Sequence, residues 1–382
     1  MDSIAVVAMD IHKKFSKAVA LGPQAEVLDV WRIGHGDKDV MQEFFQQFAP
    51  GTEVVMEATF NWPWIADVAE AMGMSGNLAH AQRARQMAKG MAKSDRKDAI
   101  FLGKLYLAGG DVFPRAYLAP PDVRRMRSHF RQRLLLVRMR VALKNALHGQ
   151  LFRLGIATDE EASDLFCPKG RRVLEGLELL RHERELMERK LRVIDQLTEH
   201  IKAMEEALKA EIKENPRGQI LMSLPGVGEV TAYSWLAEIG QLERFPNGRA
   251  LAAYAGCLPL DRESAEKDFG KRTSRACNKF LRWAAIEAVS GAVKKSGRMK
   301  SLHSRVRGRN PKQKGKARIA VARELLELAH LLLSRQEPYR EQRPARPGSQ
   351  GRTRRPRASH PNRASQAAVC ARPRRDRDQA EP

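Results

Sequence analysis

The sequence predicts an α/β domain followed by a mostly helical region. Short apolar runs of strand type alternate with helical stretches over residues 1–108. Residues 122–214 lack strand signals and carry long helical patterns instead, and residues 220–291 combine turns, helices and a Gly/Pro-rich hairpin. This change from alternating elements to helices alone predicts α/β followed by α architecture.

The order of elements in the N-terminal region indicates a particular sheet. Strands are predicted at 4–9, 15–21, 27–33, 52–56 and 74–78, and helices at 37–47, 62–72 and 80–108. Gly-Pro and Lys/His turn signals separate the first three strands, which favours an antiparallel meander. The resulting βββαβαβα order is typical of the ribonuclease H-like fold, in which the first and fourth strands are neighbours.

A heptad repeat marks the helical region. Apolar residues recur at intervals of seven at Leu180, Met187, Ile194, Ile201 and Leu208. Such a stripe favours a coiled coil, through which two copies of the chain could associate. The alternative is a long helix packed on its own chain. Asn215-Pro216 is expected to end the helix, because the residue before proline disfavours the helical conformation.

These patterns divide the chain into four regions. We predict an α/β domain over 1–115, a helical coiled-coil spacer over 116–215, a mostly helical C-terminal domain over 216–336 and a tail over 337–382. The C-terminal domain should end in an apolar helix at 325–334. The tail holds 12 Arg, 5 acidic residues and seven prolines with few apolar residues, which predicts disorder.

The charge balance indicates a polyanionic partner. The 382 residues include 68 Lys and Arg against 45 Asp and Glu, a formal net charge of +23. Nucleic acid is the expected partner. The segment 293–318 has 11 basic residues and no acid, so we favour phosphate contact over a solvated surface. No apolar run is long enough to span a membrane. Scattered cysteines and an acidic N-terminus without signal-peptide character favour reduced thiols in a cytosol.

Four carboxylates are placed to form one cleft. Asp10 ends the first predicted strand, Glu57 follows the fourth, and Asp95 and Asp98 lie three apart in a helix. In the predicted topology their side chains would converge, and divalent magnesium would compensate the charge. Two such ions could polarise a phosphodiester and activate a nucleophile. Each acid also has a simpler interpretation as a turn or helix cap or a surface ion-pair partner.

A second candidate site lies in the C-terminal region. The segment LPGVGEVTA resembles a helix–hairpin–helix turn, in which Gly226 and Gly228 would let backbone N–H groups approach phosphate. A purely structural glycine turn is the alternative. Further on, Ser264 in a polar loop could attack phosphorus. Cations that could stabilise the developing charge follow it: Lys271, Arg272, Arg275, Lys279 and Arg282.

No histidine completes a catalytic or metal-binding pattern by spacing alone. His12, His35, His80, His129 and His148 follow no ligand spacing, and no Ser–His–Asp arrangement is evident. We therefore interpret these histidines as surface or core residues.

The two sets of motifs together resemble a known family. The N-terminal motifs are VVAMDIHKK, VVMEATFNWPW and KSDRKDAIFLGKLY, and the C-terminal ones are LPGVGEVTA, LAAYAGCLP and the stretch 264–282. The combination resembles the DEDD transposases of the IS110 and Piv group, enzymes of bacterial insertion sequences and DNA inversion, over nearly all of residues 4–295. This resemblance implies a RuvC-like ribonuclease H fold, a coiled-coil spacer and a C-terminal transposase domain.

The resemblance also implies roles for individual residues. Asp10, Glu57, Asp95 and Asp98 would bind the metal, and Ser264 would be the nucleophile that forms a transient phosphoserine link to DNA. By analogy, a structured RNA encoded by the element is a candidate partner. The chain departs from the family in having Ala265 where glycine usually follows the serine, and Cys277-Asn278 where the family often has Gly-Asn. A missing glycine could restrict the approach of the backbone to DNA.

The function predicted from these features is DNA transposition or site-specific recombination. It would combine Mg²⁺ bound by the acids with the serine nucleophile, in a homo-oligomer of two or more copies. Two alternatives stay open: a RuvC-like junction nuclease that uses metal-activated water, and a non-catalytic nucleic-acid-binding protein such as a decayed transposase. The acids argue against the second, because carboxylates facing phosphate weaken simple binding.

Overall fold

The N-terminal strands form a six-stranded mixed sheet in the computed structural model of the chain. The structure describes residues 3–88, 94–110, 112–157, 164–260, 263–264, 267–268, 272–273, 276–309 and 311–341, with backbone only for residues 259–260 and the three residue pairs. The strands are β1 (Val6–Ile11), β2 (Phe15–Leu21), β3 (Val27–Gly34), β4 (Glu53–Glu57), β5 (Ser75–Ala79) and β6 (Arg115–Ala116). Their order across the sheet is β3-β2-β1-β4-β5-β6.

The pairing directions follow the predicted sequence of elements. β1, β2 and β3 form the antiparallel meander, β4 and β5 run parallel to β1, and β6 closes the edge antiparallel to β5. The first and fourth strands are therefore neighbours, as the sequence indicates. β6 is an addition that the sequence analysis did not predict.

Helices cover both faces of the sheet. The N-terminal helices are α1 (Lys38–Gln46), α2 (Trp62–Ala71), α3 (Ala81–Met87) and α4 (Asp95–Ala108). Alternate residues of β1 point to opposite faces: Val7 and Met9 enter one core with α1 and α2, whereas Val6 enters another with α4. The segment predicted to be mostly helical, 80–108, contains two helices, and Ser94 caps the second by accepting a hydrogen bond from the Lys97 N–H.

The region after the sheet is mostly helical. Its helices are α5 (Pro121–Arg153), α6 (Pro168–Gly176), α7 (Arg181–Glu214), α8 (Pro216–Met222), α9 (Glu229–Ile239), α10 (Gly248–Tyr254), α11 (Lys279–Lys295), α12 (Gly297–Arg309) and α13 (Lys314–Arg335). Between α10 and α11 lie four two-residue strands, β7 (Pro259–Leu260), β8 (Glu263–Ser264), β9 (Lys267–Asp268) and β10 (Arg272–Thr273). The predicted final helix at 325–334 is thus the end of a longer one. The predicted disordered tail begins too early at 337, because the Tyr339 N–H donates to the Ser223 hydroxyl at 2.7 Å; residues 342–382 lie outside the described residues.

The heptad stripe of α7 packs within its own chain. Met187, Ile194, Ile201 and Leu208 are buried, whereas Leu180 at the start of the stripe is 70% exposed. Contacts of Arg125 with Glu211 and of Gln150 with Glu183 show that α5 lies antiparallel to α7. Of the two interpretations of the heptads, the structure therefore has the helix packed on its own chain. The helix ends before Asn215-Pro216, as predicted.

Tyr117 connects the sheet to the C-terminal helices. It directly follows β6, and its hydroxyl accepts a hydrogen bond from the Gln241 N–H at 3.1 Å. The guanidinium groups of Arg127 and Arg244 lie 5.1 and 3.9 Å from the ring centre. Gly240, at φ +63°, packs so closely on the ring that a Cβ would collide with it. No helix among the described residues is long and apolar enough to cross a membrane.

Candidate active site

Two of the predicted acids meet at the carboxyl end of the parallel strands. β1 and β4 pair with Met9 opposite Met56, so Asp10 and Glu57 each come one residue later on adjacent strands. Residues two apart along a strand point to the same face of a sheet. Val6 of β1 and Val55 of β4 enter the core with α4, so Asp10 and Glu57 lie on the face that α4 covers. Asp10 lies within β1 rather than at its end, and its side chain is only 14% exposed.

The other two acids lie in the first turn of α4. Asp95 begins the helix and Asp98 follows three residues later, so both occupy one helical face. Gly103 allows α4 to approach the sheet, because a Cβ there would collide with Leu21 and crowd Ala8. The close packing of α4 carries its acidic first turn to the edge where the carboxylates of β1 and β4 lie.

The carboxylates influence one another electrostatically. Burial raises the pKa of Asp10 above its usual value; the nearby His12 lowers it, and the Asp98 and Asp95 carboxylates raise it. Burial also raises the pKa of Glu57; the charge of Asp10 raises it further, and Arg85 of α3 opposes both effects. Like charges held together in a partly desolvated cleft disfavour the ionised forms, and a cation would relieve that repulsion.

His12 is a site residue that the sequence analysis missed. Its Nε2 atom lies 3.1 Å from Oδ2 of Asp10 and 3.4 Å from Oδ1 of Asp95. This nitrogen is buried yet makes no hydrogen bond of acceptable geometry. The side-chain amide of Asn61 donates to the His12 carbonyl at 2.9 Å and so fixes the turn that follows β1. The only sequence signal was proximity, since His12 comes two residues after Asp10.

Asp10, His12 and Asp95 form a possible cation site. One ligand atom from each lies within 4.8 Å of the others, the only such group of metal-ligating side chains among the residues that the structure describes. The unsatisfied Nε2 atom and the mutually repelling carboxylates both fit a bound divalent ion. Glu57 and Asp98 lie outside this group of three but influence it electrostatically.

The glycines of the predicted helix–hairpin–helix turn differ in their surroundings. Gly226 has φ +82°, and its Cα faces Gly291 and the backbone of α11 so closely that any side chain would collide. This is the structural role that the sequence left open, and it leaves Gly226 little access to phosphate. Gly228 has open space around it and precedes α9, whose first turn has no side-chain cap.

The predicted serine lies in a narrow hairpin. β7 pairs with β10 and β8 pairs with β9, with Ser264 opposite Lys267 at the closed end. Arg272 pairs with Leu260 through its backbone, whereas Lys271, Arg275 and Ala265 lie outside the described residues. Lys279 and Arg282 occupy the first turn of α11, exposed and half-buried respectively. The side-chain geometry of Ser264 is outside the described part of the chain.

A buried polar cluster secures the base of this hairpin. The Asn278 N–H donates to the Tyr254 carbonyl at 2.8 Å, and the Asn278 amide donates to Glu238 Oε2 and to the Tyr254 hydroxyl. The Asn278 side-chain oxygen also caps α11 by accepting from the Phe280 and Leu281 N–H groups. One residue therefore joins the hairpin base, α10, α11 and α9 through its backbone and side chain.

Two family comparisons match the two halves of the chain. Residues 7–155 match the DEDD-type IS110 domain, described as a transposase, and residues 218–304 match the domain described as "Transposase IS116/IS110/IS902 family". The first match contains all four predicted acids and His12. The second contains the hairpin with Ser264.

Individual relatives are also transposases. The transposase for insertion sequence element IS1111A of Coxiella burnetii is 29% identical over 293 residues, covering 70% of this chain and 74% of the relative. The probable family 20 transposase of Pseudomonas aeruginosa is 24% identical, covering 78% and 89%. The transposase for element IS1328 of Yersinia enterocolitica is 25% identical, covering 53% of this chain and 61% of the relative.

A mixed sheet with an acidic cleft, joined to helices and matched to transposases over residues 7–155 and 218–304, defines the chain as a DNA-transposing enzyme. The DEDD acids of this class imply dependence on a divalent metal. More narrowly, the chain belongs to the IS116/IS110/IS902 family of transposases.

Proposed function

We propose that this transposase exchanges DNA strands through an acidic metal site and a serine nucleophile. The metal would be Mg²⁺, held by Asp10, Glu57, Asp95 and Asp98 in a RuvC-like, ribonuclease H-like domain. One observation carries the proposal: parallel pairing of β1 and β4 brings Asp10 and Glu57 to one edge, under the Asp95 and Asp98 turn of α4. The 3-2-1-4-5 order of the first five strands supports the ribonuclease H-like assignment.

The donor set suits a hard divalent cation. Carboxylate oxygens predominate, and His12 contributes a buried nitrogen without a hydrogen-bond partner. When bound, the metal supplies positive charge to the phosphodiester and favours the deprotonated oxygen of an attacking group. The chain's own residues would orient that cation: Asn61 holds the turn bearing His12, and Ser94 fixes the start of the α4 acidic turn.

Ser264 would carry the covalent step. Its Oγ would lose a proton and bond to phosphorus while the bond from phosphorus to the 3′ oxygen breaks and that oxygen gains a proton. The 5′-phosphoserine would then be displaced by a 3′ hydroxyl of the exchange partner, which restores the serine. The hairpin supports this role, because the Ser264–Lys267 pair stands at its closed end and Asn278 secures its base. Transesterification conserves the phosphodiester, so no nucleotide cofactor is required.

The test separates the two chemistries. With duplex substrates and Mg²⁺, Ser264→Ala should abolish both strand exchange and the covalent protein–DNA adduct. Asp10→Ala should abolish Mg²⁺-dependent cleavage and exchange, whereas Glu43→Ala, which removes an exposed carboxylate on α1, should leave both intact. Exchange and adduct that survive Ser264→Ala would refute the serine mechanism and favour the junction nuclease. Equal behaviour of Asp10→Ala and the unmodified protein would favour a non-catalytic binder.

A further inference from the structure

α12 has an unusual distribution of charge. The segment from Val293 to Arg318, which contains α12 and the turn into α13, holds eleven basic residues and no acidic residue. Met299 is the only fully buried residue of α12, and with the partly buried Leu302 it packs on the core of the C-terminal helices. The rest of the helix faces outward or lies at the edge of this contact.

The outward face of α12 is made of small residues between two basic rows. Gly297, Ser301, Ser304 and Gly308 recur at helical spacing along its centre, and all four are exposed. Helical periodicity places three basic residues on one side of this ridge: Arg298, Arg305 and Arg309. It places Lys300 and Arg307 on the other side. The helix backbone can therefore approach a partner closely while basic side chains extend past it on both sides.

Most of the charge of α12 is not neutralised by ion pairs with the residues that the structure describes. α5 is also rich in arginine, but several of those side chains bind carboxylates: Arg124, Arg125, Arg131 and Arg133 form ion pairs with acids on other helices. On α12, Arg298 pairs with Glu324. Across the described part of the chain, Lys300, Arg305, Arg307 and Arg309 form no ion pair. Basic side chains without an ion-pair partner thus line both sides of α12. This arrangement suits a polyanion with two charged strands.

We propose that α12 lies in the major groove of duplex DNA and that its two basic rows contact phosphates of opposite strands. A helix with its side chains is about 10–12 Å across, close to the roughly 12 Å width of that groove. The small ridge lets this helix enter deeply, and the Ser301 and Ser304 hydroxyls can hydrogen-bond base edges. A-form RNA has a deep, narrow major groove that excludes a helix, so the shape favours DNA.

This inference deepens the proposed function by assigning its DNA-binding surface, and its test needs no catalysis. Binding of the full chain to duplex DNA is measured in EDTA over a series of salt concentrations. The variant combining Lys300→Gln, Arg305→Gln and Arg307→Gln should lower the affinity about 10- to 100-fold, and should reduce the salt slope by about 0.9 for each phosphate that is no longer neutralised. A control combining Arg189→Gln, Arg192→Gln and Lys202→Gln removes the same charge from the exposed side of α7.

A second variant tests entry into the groove without changing charge. Ser301→Phe with Ser304→Phe should lower duplex DNA affinity about tenfold or more, equivalent to about 1.4 kcal/mol, and leave binding to duplex RNA unchanged. Ala203→Phe, at an exposed position of α7, is its control. Circular dichroism and thermal melting verify folding of every variant.

Three results would overturn the proposal: the α7 control loses as much affinity as the α12 charge variant, the phenylalanine variant binds DNA normally, or RNA binding is lost instead. Normal Mg²⁺-dependent adduct formation alongside any of these would leave the proposed chemistry standing. Conversely, the effect of Ser264→Ala on the covalent adduct tests the serine mechanism alone and does not test DNA binding by α12.

Discussion

Arg131 binds Glu238 in a two-point ion pair, with Nε 2.9 Å from Oε1 and Nη2 2.8 Å from Oε2, and the carboxylate is completely buried. The same carboxylate accepts the Asn278 amide at 2.8 Å. Arg127 lies within 3.7 Å, and burial lowers the pKa of its guanidinium. The cluster ties α5 and α9 to the base of the hairpin that carries Ser264.

Loss of the Glu238 charge should therefore destabilise the protein strongly. Glu238→Gln leaves the buried Arg127 and the Arg131 contact without a counter-charge, and unfolding should require about 3–5 kcal/mol less free energy. The measurement is denaturant unfolding. Glu185→Gln, which breaks the exposed pair with Arg181, should change stability little and serves as the control. Equal losses in the two variants would show that burial of the Glu238 cluster contributes nothing.

The acidic cleft should be a source of instability when no metal is bound. Because the folded protein raises the pKa of Asp10 and Glu57, it binds protons more readily than the unfolded chain does. The stability contributed by these groups is thus greatest at low pH and falls as pH rises through their folded pKa values. Asp10→Asn should raise the metal-free melting temperature at pH 7 by about 1–3 °C.

Two further observations check that expectation. The gap between Asp10→Asn and the unmodified protein should close below about pH 3, where the carboxyl is protonated in both states. Added Mg²⁺ should raise the melting temperature of the unmodified protein more than that of Asp10→Asn, because only the unmodified protein binds the ion well. An identical melting temperature for both proteins at every pH would contradict the electrostatic description of the cleft.

His12 should contribute a nitrogen ligand to the bound cation. With Mn²⁺ as a paramagnetic probe, pulsed electron paramagnetic resonance should detect ¹⁴N coupling in the unmodified protein and none in His12→Gln. The variant should bind Mn²⁺ about tenfold more weakly, a loss of about 1.4 kcal/mol. His200→Gln, on the exposed side of α7, should keep both properties. Persistent nitrogen coupling in His12→Gln would assign the ligand to another residue.

Self-association through α7 should use the face that the chain leaves open. Val193 is 43% exposed, whereas Ile201 of the heptad stripe is 3% exposed and packed within the chain. We expect the chain to form an oligomer in solution, and Val193→Glu to leave it monomeric without changing the unfolding midpoint. Ile201→Glu should unfold the protein instead, because it buries a charge. Light scattering after gel filtration measures the first effect, and an oligomer that withstands Val193→Glu would exclude this face.

Much of the sheet could be predicted from the sequence because its strands are short, apolar and separated by clear turns. The pairing of β1 with β4, and hence the meeting of Asp10 with Glu57, follows from the order of elements alone. β6 was missed because two residues carry no periodicity. α12 was missed for a different reason: with only Met299 fully buried, it lacks the apolar stripe that identifies most amphipathic helices.

The remaining differences concern partners that a linear pattern does not specify. A heptad stripe has the same spacing whether it packs on its own chain or on a second copy, so the sequence left the partner of α7 open. A lone histidine carries no ligand spacing, and only the turn held by Asn61 brings His12 to the acids. Gly226 is a similar case. The sequence indicated a close approach of its backbone to phosphate, but the group that it approaches is the backbone of α11.

The insertion of Tyr117 among the C-terminal helices has a mechanical consequence. Two guanidinium groups lie within 5.1 Å of its ring centre, and its hydroxyl accepts a hydrogen bond from the backbone just after α9. Moving the sheet away from the C-terminal helices would break these contacts of Tyr117. This connection is therefore ill suited to act as a hinge. We therefore expect any movement during transposition to occur at other connections in the chain or in the nucleic acid.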